Sequence, residues 1–231
     1  MGKIGKNSLD IQESNRLSIL RILAGEDVLT RAELSRRTGL KQATITNIIN
    51  DFLASGVVSE TGALKGNLGR RSIGIRINAE KFNVVAIKIA RRSYSVGIFN
   101  IKNQLLEKEY QKLDPAAGAS AVLERIVSDA RSLMQKYGSC CAVGVAVPGP
   151  YLRREGRIAV MTEFAGWEKI DICKQLGAAF EQPVFVEHDA NAGALGEWSR
   201  SANIGRDDVL VHLLASEGIG AGVVIGGKII S

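Results

Sequence analysis

Apolar residues recur at helical spacing three times before residue 55 of the chain. Leucine and isoleucine repeat every three or four positions over 15–23 and stop before Gly25, which predicts a first helix. A second helix is predicted over Arg31–Thr38, because Thr30 is a favourable N-cap and Glu33 follows three residues later, as in a capping box. A third helix is predicted over Gln42–Ala54, whose apolar face consists of Ile45, Ile48, Ile49, Phe52 and Leu53.

The second and third predicted helices are joined by a short turn at Gly39 and Leu40, which is typical of a helix-turn-helix. In that motif the second helix lies in the major groove of DNA, with its N-terminal residues near the base edges. Gln and Asn side chains can pair with adenine, and Thr can contact a thymine methyl group or a phosphate. A three-helix bundle with a solvated polar face fits the same periodicity. The DNA-contacting residues predicted from this helix are Lys41, Gln42, Ala43, Thr44, Thr46 and Asn47.

A basic, glycine-rich segment follows the helices and separates two predicted strands, over 57–60 and Ser72–Ile77. The second strand carries three isoleucines at alternate positions, which predicts that they share one face. Glycine permits close approach to DNA, and arginine can enter a narrow minor groove or bind phosphates. A basic surface hairpin without a partner is the alternative. We therefore predict a winged helix-turn-helix, with Lys65, Arg70 and Arg71 as the DNA contacts of its wing and with Ile73, Ile75 and Ile77 on one face of its second strand.

From about residue 81 the pattern changes to short β-rich runs that alternate with helical segments, which predicts an α/β domain. We therefore expect two domains, a DNA-binding domain over 1–80 and an α/β domain over 81–231. Strands are predicted over 84–89, 95–99, 104–111, 142–147, 184–186, 209–214 and 221–225, and helices over Ala119–Tyr137, 170–180 and 189–199.

The distribution of charge favours a polyanionic partner for the first domain. The chain carries a net charge of +6. Residues 1–80 hold 12 Lys or Arg and eight Asp or Glu, a net charge of +4, whereas the remaining residues hold 18 and 16, a net charge of +2. Two thirds of the positive excess therefore lies in about one third of the chain, as expected for a nucleic-acid-binding head.

Composition also favours a cytoplasmic protein. No run approaches the roughly 20 apolar residues of a membrane span, and the polar N-terminus lacks the apolar core of a signal peptide. The three cysteines form no CxxC pair and no Cys/His cluster, so a zinc site is not expected. We expect reduced and mostly buried thiols at Cys140, Cys141 and Cys173.

The head resembles the DNA-binding domain of ROK-family regulators, which are sugar-responsive bacterial transcription factors that share a fold with sugar kinases. The resemblance rests on the segments TRAELSRRTGL, QATITNIINDFLASGVV and GNLGRRSIGIRIN, in that order. Ser72 stands where the family usually has a proline after the Gly-Arg-Arg of the wing.

The second part resembles the body of the same family in three segments, VGVAVPGPY, VEHDANAGALGEW and LASEGIGAGVVIGGKI. The resemblance implies an actin-like, ribonuclease-H-like fold. In the family's kinases the aspartate at the position of Asp189 activates a sugar hydroxyl. Those enzymes also have an Asp-x-Gly-Gly-Thr phosphate loop, and the matching residues here are Lys88, Ile89, Ala90, Arg91 and Arg92. Side chains at these positions would crowd ATP phosphates, so we expect no kinase activity and no cofactor.

By the same resemblance, the ligand expected in this body is a sugar or a sugar derivative. The family uses an Asn-Asp pair for sugar hydroxyls, and His188 and Asp189 stand there in this chain. Aspartate accepts hydrogen bonds, and histidine donates or accepts one. A different small ligand and no ligand are the alternatives. The predicted ligand-binding residues are Gly149, Glu163, His188, Asp189, Glu217 and Gly218.

In the family, a hairpin like the one that ends this sequence is followed by a Cys-rich zinc site and by helices that complete the second lobe and the dimer interface. None of these lies within residues 1–231, so we expect no metal in this chain. A fragment of a longer protein and a naturally short protein would both lack these segments. A chain that stops at this hairpin would expose an unpaired sheet edge, and we expect such an edge to favour self-association.

The sequence thus predicts a transcription regulator, a repressor of carbohydrate metabolism such as xylose use. Its expected partners are a double-stranded DNA operator, a sugar effector and a second copy of the chain. A sugar kinase with an appended DNA-binding head and a protein-interaction module are the alternatives.

Overall fold

The computed structural model describes residues 8–64, 72–159, 166–201, 208–216 and 218–230. The chain divides into two units. The first contains the residues up to Phe82 together with Asn100–Gln104, and the second contains Asn83–Phe99 and the chain from Leu105 onward.

The described part of the first unit consists of three helices and a three-stranded sheet in the order β1-β3-β2, with antiparallel pairing throughout. The second and third helices have the predicted bounds, whereas the first begins earlier than the apolar pattern indicates. The strand β1 was not predicted, because two residues are too few for a recognisable alternation. The elements are α1 (Ser8–Ala24), β1 (Leu29–Thr30), α2 (Arg31–Thr38), α3 (Gln42–Ala54), β2 (Val58–Leu64) and β3 (Ser72–Ile77).

The start of α2 is fixed by the predicted capping box. The side chain of Thr30 accepts a hydrogen bond from the backbone N–H of Glu33 at 3.2 Å, and the Glu33 carboxylate accepts one from the backbone N–H of Thr30 at 2.8 Å. The backbone N–H and the hydroxyl group of Thr30 both donate to the Glu33 carboxylate, which holds the pKa of Glu33 below its usual value. Two backbone donors that a helix start leaves without partners are thereby satisfied.

The core of the first unit joins the helices to the inner face of the sheet. Of the three isoleucines at alternate positions of β3, Ile75 and Ile77 are buried in this core, whereas Ile73 is 47% exposed. The β2–β3 register shifts between Glu60 and Ala63, and Ile73 pairs with Ala63 beyond that irregularity. A register irregularity of this kind redirects the side chains that follow it. The buried residues are Ile19, Leu23, Leu29, Leu34, Ile45, Ile48, Ile49, Phe52, Val58, Ile75 and Ile77.

The second unit is built on a five-stranded sheet in the order β10-β7-β4-β5-β6. The strands β4, β7 and β10 are parallel to one another, and β5 is antiparallel to β6. This order is that of the expected ribonuclease-H-like fold. The elements are β4 (Asn83–Ile89), β5 (Ser93–Asn100), β6 (Leu105–Lys112), α4 (Ala119–Tyr137), β7 (Cys140–Val147), β8 (Tyr151–Leu152), β9 (Arg157–Ile158), α5 (Ile172–Ala179), β10 (Val184–His188), α6 (Asp189–Arg200), β11 (Val209–Ala215), β12 (Ile219–Ile225) and β13 (Lys228–Ile230).

One face of this sheet packs on α4 and α5. Alternate residues of β4 and β7 point into this core, together with the apolar stripe of α4. The buried residues include Val85, Ile87, Ile89, Ile126, Leu133, Val143, Val145, Val147, Trp167 and Leu176.

A separate antiparallel sheet of β11, β12 and β13 packs against α6. The contact depends on Gly222, because a Cβ atom there would lie 2.2 Å from the carbonyl oxygen of Ala190. Only a residue without a side chain permits this approach of strand to helix. The sheet thereby brings the β11–β12 connection towards the start of α6.

The prediction that the cysteines are mostly buried is wrong. Cys141 and Cys173 are exposed, Cys140 is partly exposed, and all three are free thiols. The β4–β7 register skips Cys141, so this residue does not continue the buried alternation of β7. Cys173 lies on the outer face of α5, whose buried residues are Ile172 and Leu176.

Two further findings concern the described residues alone. None of their helices is both long and apolar enough to cross a membrane. Over the same ranges, no group of three or more His, Cys, Asp or Glu side chains is arranged to hold a metal ion.

Candidate DNA-binding surface and ligand cleft

A hydrogen-bonded turn connects α2 to α3. Gly39 ends α2 with φ of 71°, and its N–H donates to the carbonyl oxygen of Ser35 at 2.9 Å. The Ser35 hydroxyl in turn donates to the carbonyl oxygen of Leu40 at 2.6 Å. Glycine adopts positive φ without the steric cost that a side chain would add, so it suits this turn.

The two faces of α3 differ as the sequence predicts. Ile45, Ile48, Ile49 and Phe52 are buried, which fixes the rotation of the helix about its axis. The opposite face points to solvent at the N-terminal end of the helix, where a recognition helix presents its side chains. All six predicted contact residues lie there: Lys41, Gln42, Ala43 and Asn47 are exposed, and Thr44 and Thr46 are partly exposed on its flanks.

The wing is described only up to Leu64 and again from Ser72. The predicted wing contacts Lys65, Arg70 and Arg71 lie outside the described residues. The base of the hairpin is joined to the helices by an ion pair between Arg31 and Glu60, with 2.9 Å between Nη2 and Oε1. This ion pair links the first residue of α2 to β2.

The second candidate site is a cleft of about 360 Å³ at the carboxyl ends of β4, β7 and β10. The carboxyl ends of parallel strands meet at one edge of a sheet, which is where ligands bind in open α/β folds. Gly149 and Pro150 follow β7, His188 ends β10, and Asp189 begins α6. The lining residues are Lys88, Ala90, Arg91, Pro148, Gly149, Pro150, His188, Asp189, Leu214, Ser216, Gly218, Ile219 and Gly220.

The imidazole of His188 lies between two glycine backbones. A Cβ atom on Gly149 would lie 2.6 Å from Nε2 of His188, and one on Gly220 would lie 3.4 Å from Cε1. The same Nε2 is 3.3 Å from Oδ1 of Asp189. Both side chains are about four-fifths buried, since 22% of the His188 side chain and 15% of the Asp189 side chain are exposed. Neighbouring residues therefore restrict the positions of their polar atoms within the cleft.

Glu187 does not line the cleft but supports its edge, and it was not among the residues predicted from the sequence. Its Oε1 accepts hydrogen bonds from the backbone N–H of His188 at 2.9 Å and from Nδ2 of Asn191 at 3.0 Å. Its Oε2 forms an ion pair with Arg153. Glu187 thus joins the end of β10 to the first turn of α6. The helical spacing of four between Glu187 and Asn191 across that boundary is the signal that could have indicated it.

The cleft brings together four of the six predicted ligand-binding residues, namely Gly149, His188, Asp189 and Gly218. Glu163 and Glu217 lie outside the described residues. Lys88 and Arg91, which the sequence analysis treated as replacements of a phosphate loop, also line the cleft.

The fold combines a winged helix-turn-helix with an actin-like domain that carries a cleft at its strand ends. This combination defines the class of regulators that are related in fold to the sugar kinases. The ROK family model matches residues 84–231, and a winged helix-turn-helix DNA-binding model matches residues 12–59. The chain belongs to the ROK family.

Two curated relatives illustrate the similarity. The chain is 23% identical to the xylose repressor of Caldicellulosiruptor bescii over 231 residues, which covers 98% of this chain and 57% of the relative. It is 24% identical to the DNA-binding transcriptional repressor Mlc of Escherichia coli K12, with coverage of 95% and 55%. The chain therefore spans about half the length of these relatives.

Solved structures agree on the fold. A ROK family transcriptional regulator, described as a homologue of the E. coli MLC protein, superposes with a TM-score of 0.71 at 20% identity, covering 95% of this chain and 56% of that one. The ROK hexokinase of Thermus thermophilus has a TM-score of 0.55 at 31% identity, covering 64% of this chain and 48% of that one. The regulator match extends over both units, whereas the kinase match covers a smaller share of the chain.

Proposed function

We propose that this chain is a DNA-binding transcription repressor of carbohydrate metabolism whose second unit senses a sugar or a sugar derivative. The observation that carries the proposal is the outward face of α3. Its buried isoleucines fix the helix so that Gln42 and Asn47 point to solvent at the N-terminal end. Relatives named xylose repressor and N-acetylglucosamine repressor support the same function.

The sensing mechanism requires that the sugar bind two states of the protein with different affinity. We place the sugar near His188 and Asp189, where a carboxylate and an imidazole can hydrogen-bond its hydroxyl groups. In a dimer with two DNA-binding heads, a ligand-dependent change in the spacing of the heads would alter operator affinity. Saturating sugar is then expected to change operator affinity and thermal stability together.

We also propose that the cleft does not transfer phosphate. The kinase-like fold is compatible with an enzyme, and the hexokinase similarity makes this the second candidate function. However, Lys88 carries a positive charge where the family's kinases have the acidic residue of the first phosphate loop. A cation at this position repels the Mg²⁺ that phosphoryl transfer needs, rather than helping to bind it.

The test is a fluorescence-anisotropy titration of the full chain against DNA from upstream of its own gene. Gln42→Ala is expected to weaken binding to this DNA by roughly 1–3 kcal/mol, because a side chain that reads a base edge is lost. Binding to DNA of scrambled sequence should hardly change.

Gln135→Ala is the matched control, since it removes the same exposed side chain from α4. It should leave both affinities unchanged. Equal losses on the two DNAs would mean that Gln42 does not read sequence. Absence of salt-dependent DNA binding by the wild-type chain would favour the protein-interaction alternative.

A further inference from the structure

The ligand cleft contains two basic side chains at its β4 end. Lys88 is exposed on β4, between the buried Ile87 and Ile89, so its side chain leaves the opposite face of the strand from the core. Arg91 follows in the β4–β5 turn. A Cβ atom on Gly218 would lie 3.2 Å from Nη2 of Arg91, so the guanidinium group rests against the β11–β12 connection.

The described wall of the cleft has more basic than acidic side chains. Of the lining residues, Lys88 and Arg91 are cationic and Asp189 is the acidic one. Oδ1 of Asp189 already accepts the backbone N–H of Ala190 at 2.8 Å and lies beside His188. Among the residues that the structure describes, Lys88 forms no ion pair. A lysine that lines a cleft without an acidic partner favours an anion as the ligand.

We infer that the ligand of this cleft is an anionic sugar derivative, whose phosphate or carboxylate group binds Lys88 and Arg91 while its hydroxyl groups face His188 and Asp189. This inference rests on the proposed sensing function. An arginine fork and a lysine point charge both bind phosphate and carboxylate groups strongly. The cleft volume of about 360 Å³ lies within the range of small-molecule sites.

The same residues disfavour a nucleotide as that anion. ATP phosphates in this fold need a glycine-lined backbone loop, and the two positions that correspond to its glycines here carry the side chains of Ala90 and Arg91. The anion is therefore bound by side-chain charges at one end of the cleft. Its sugar ring extends towards the end of β10.

The test measures binding by isothermal titration calorimetry to the full chain. The probes are glucose, xylose and N-acetylglucosamine, a phosphate monoester of each, gluconate, glucuronate, inorganic phosphate and ATP. At least one phosphorylated or acidic sugar is expected to bind at least tenfold more tightly than its neutral parent. Phosphate esters and sugar acids in the same panel show which anion the site prefers.

Lys88→Gln and Arg91→Gln are each expected to weaken binding of that anionic sugar by roughly tenfold, because one charge-assisted contact is lost. Lys112→Gln and Arg125→Gln remove matched charges from exposed positions on β6 and α4 and should have no effect. Inorganic phosphate should compete with the anionic sugar on the wild-type chain, a result that does not depend on any variant.

Operator binding is measured on the same samples, which separates the two proposals. Equal affinity for neutral and anionic sugars, tighter binding of ATP, or no saturable binding of any anion in the panel would overturn the inference. Each of these results is compatible with a DNA-binding regulator if operator affinity is retained. If the wild-type chain shows no sequence-specific DNA binding, this result would overturn the proposed function instead.

Discussion

At the scale of single residues, the charge at one strand end differs from the charge that the family resemblance implies for a sugar kinase. Lys88 stands at the carboxyl end of β4, and the neighbouring strand ends supply Gly149 and His188. By the family resemblance, Asp189 stands where the kinases have their catalytic base, whereas Lys88 stands where they have the acidic residue of the first phosphate loop. A carboxylate can activate a hydroxyl group only if the phosphoryl donor is positioned beside it.

We therefore expect no sugar-dependent ATP hydrolysis in the presence of Mg²⁺ with glucose, xylose or N-acetylglucosamine. A coupled assay of ADP release measures this, with the Thermus thermophilus hexokinase assayed in parallel as the active reference. Sugar-dependent turnover that disappears in Asp189→Asn would contradict the expectation and favour the kinase function.

At the scale of secondary-structure elements, local sequence determines α2 more completely than any other helix of the head. Its predicted and observed bounds coincide, because Thr30 and Glu33 specify its start and Gly39 specifies its end. Other elements form only because they pair with residues that are distant in the sequence. The strand β1 exists because Leu29 pairs with Ile75, a partner that no local pattern reveals.

The same distinction explains which parts of the site could be predicted. The positions of His188 and Asp189 follow from a short motif at the end of a strand. The arrangement of Glu187 with Arg153 depends instead on two segments that only the folded sheet brings together. Irregularities in register likewise cannot be derived from alternation, so the exposure of Cys141 and Ile73 was not foreseen.

Thr30→Ala is expected to lower the free energy of unfolding by roughly 0.5–2 kcal/mol at neutral pH, because the N-cap acceptor is lost. The pKa of Glu33 is lowered in the folded state, so its stabilising contribution is present above the ordinary value of 4.5 and is lost as pH falls through the lower folded value. The difference between variant and wild type should therefore shrink at acidic pH.

Urea unfolding of the full chain, followed by far-UV circular dichroism, measures this difference. Thr61→Ala is the control, since the Thr61 hydroxyl makes only a 3.4 Å contact to the next carbonyl oxygen. A Thr30→Ala variant as stable as the control would show that the capping box contributes little to stability.

At the scale of the whole molecule, charge is distributed unevenly between the head and the remainder of the chain. The net charge of +4 on residues 1–80 includes the three basic residues assigned to the wing from the sequence. Such charge contributes to DNA affinity chiefly by releasing condensed counterions, so its effect appears in the dependence of affinity on salt concentration.

Arg70→Ala combined with Arg71→Ala is expected to reduce the slope of log affinity against log salt by about 2, since two phosphate contacts are lost. Lys108→Ala combined with Lys112→Ala removes the same charge from exposed positions of β6 and should leave the slope unchanged. Anisotropy titrations at several salt concentrations give the slopes. Equal slopes in the two double variants would show that the wing does not contact phosphates.

The turn between β5 and β6 belongs to the first unit, although both strands, apart from Asn100 at the end of β5, belong to the second. Ile101 packs against the core of the first unit and donates its N–H to the carbonyl oxygen of Phe82 at 3.1 Å, while Lys102 pairs with Asp27. The chain therefore passes between the units three times. Local unfolding of this hairpin would withdraw Ile101 from one core and two strands from the other, so the folding equilibria of the two units are thermodynamically coupled through the connectivity of the chain.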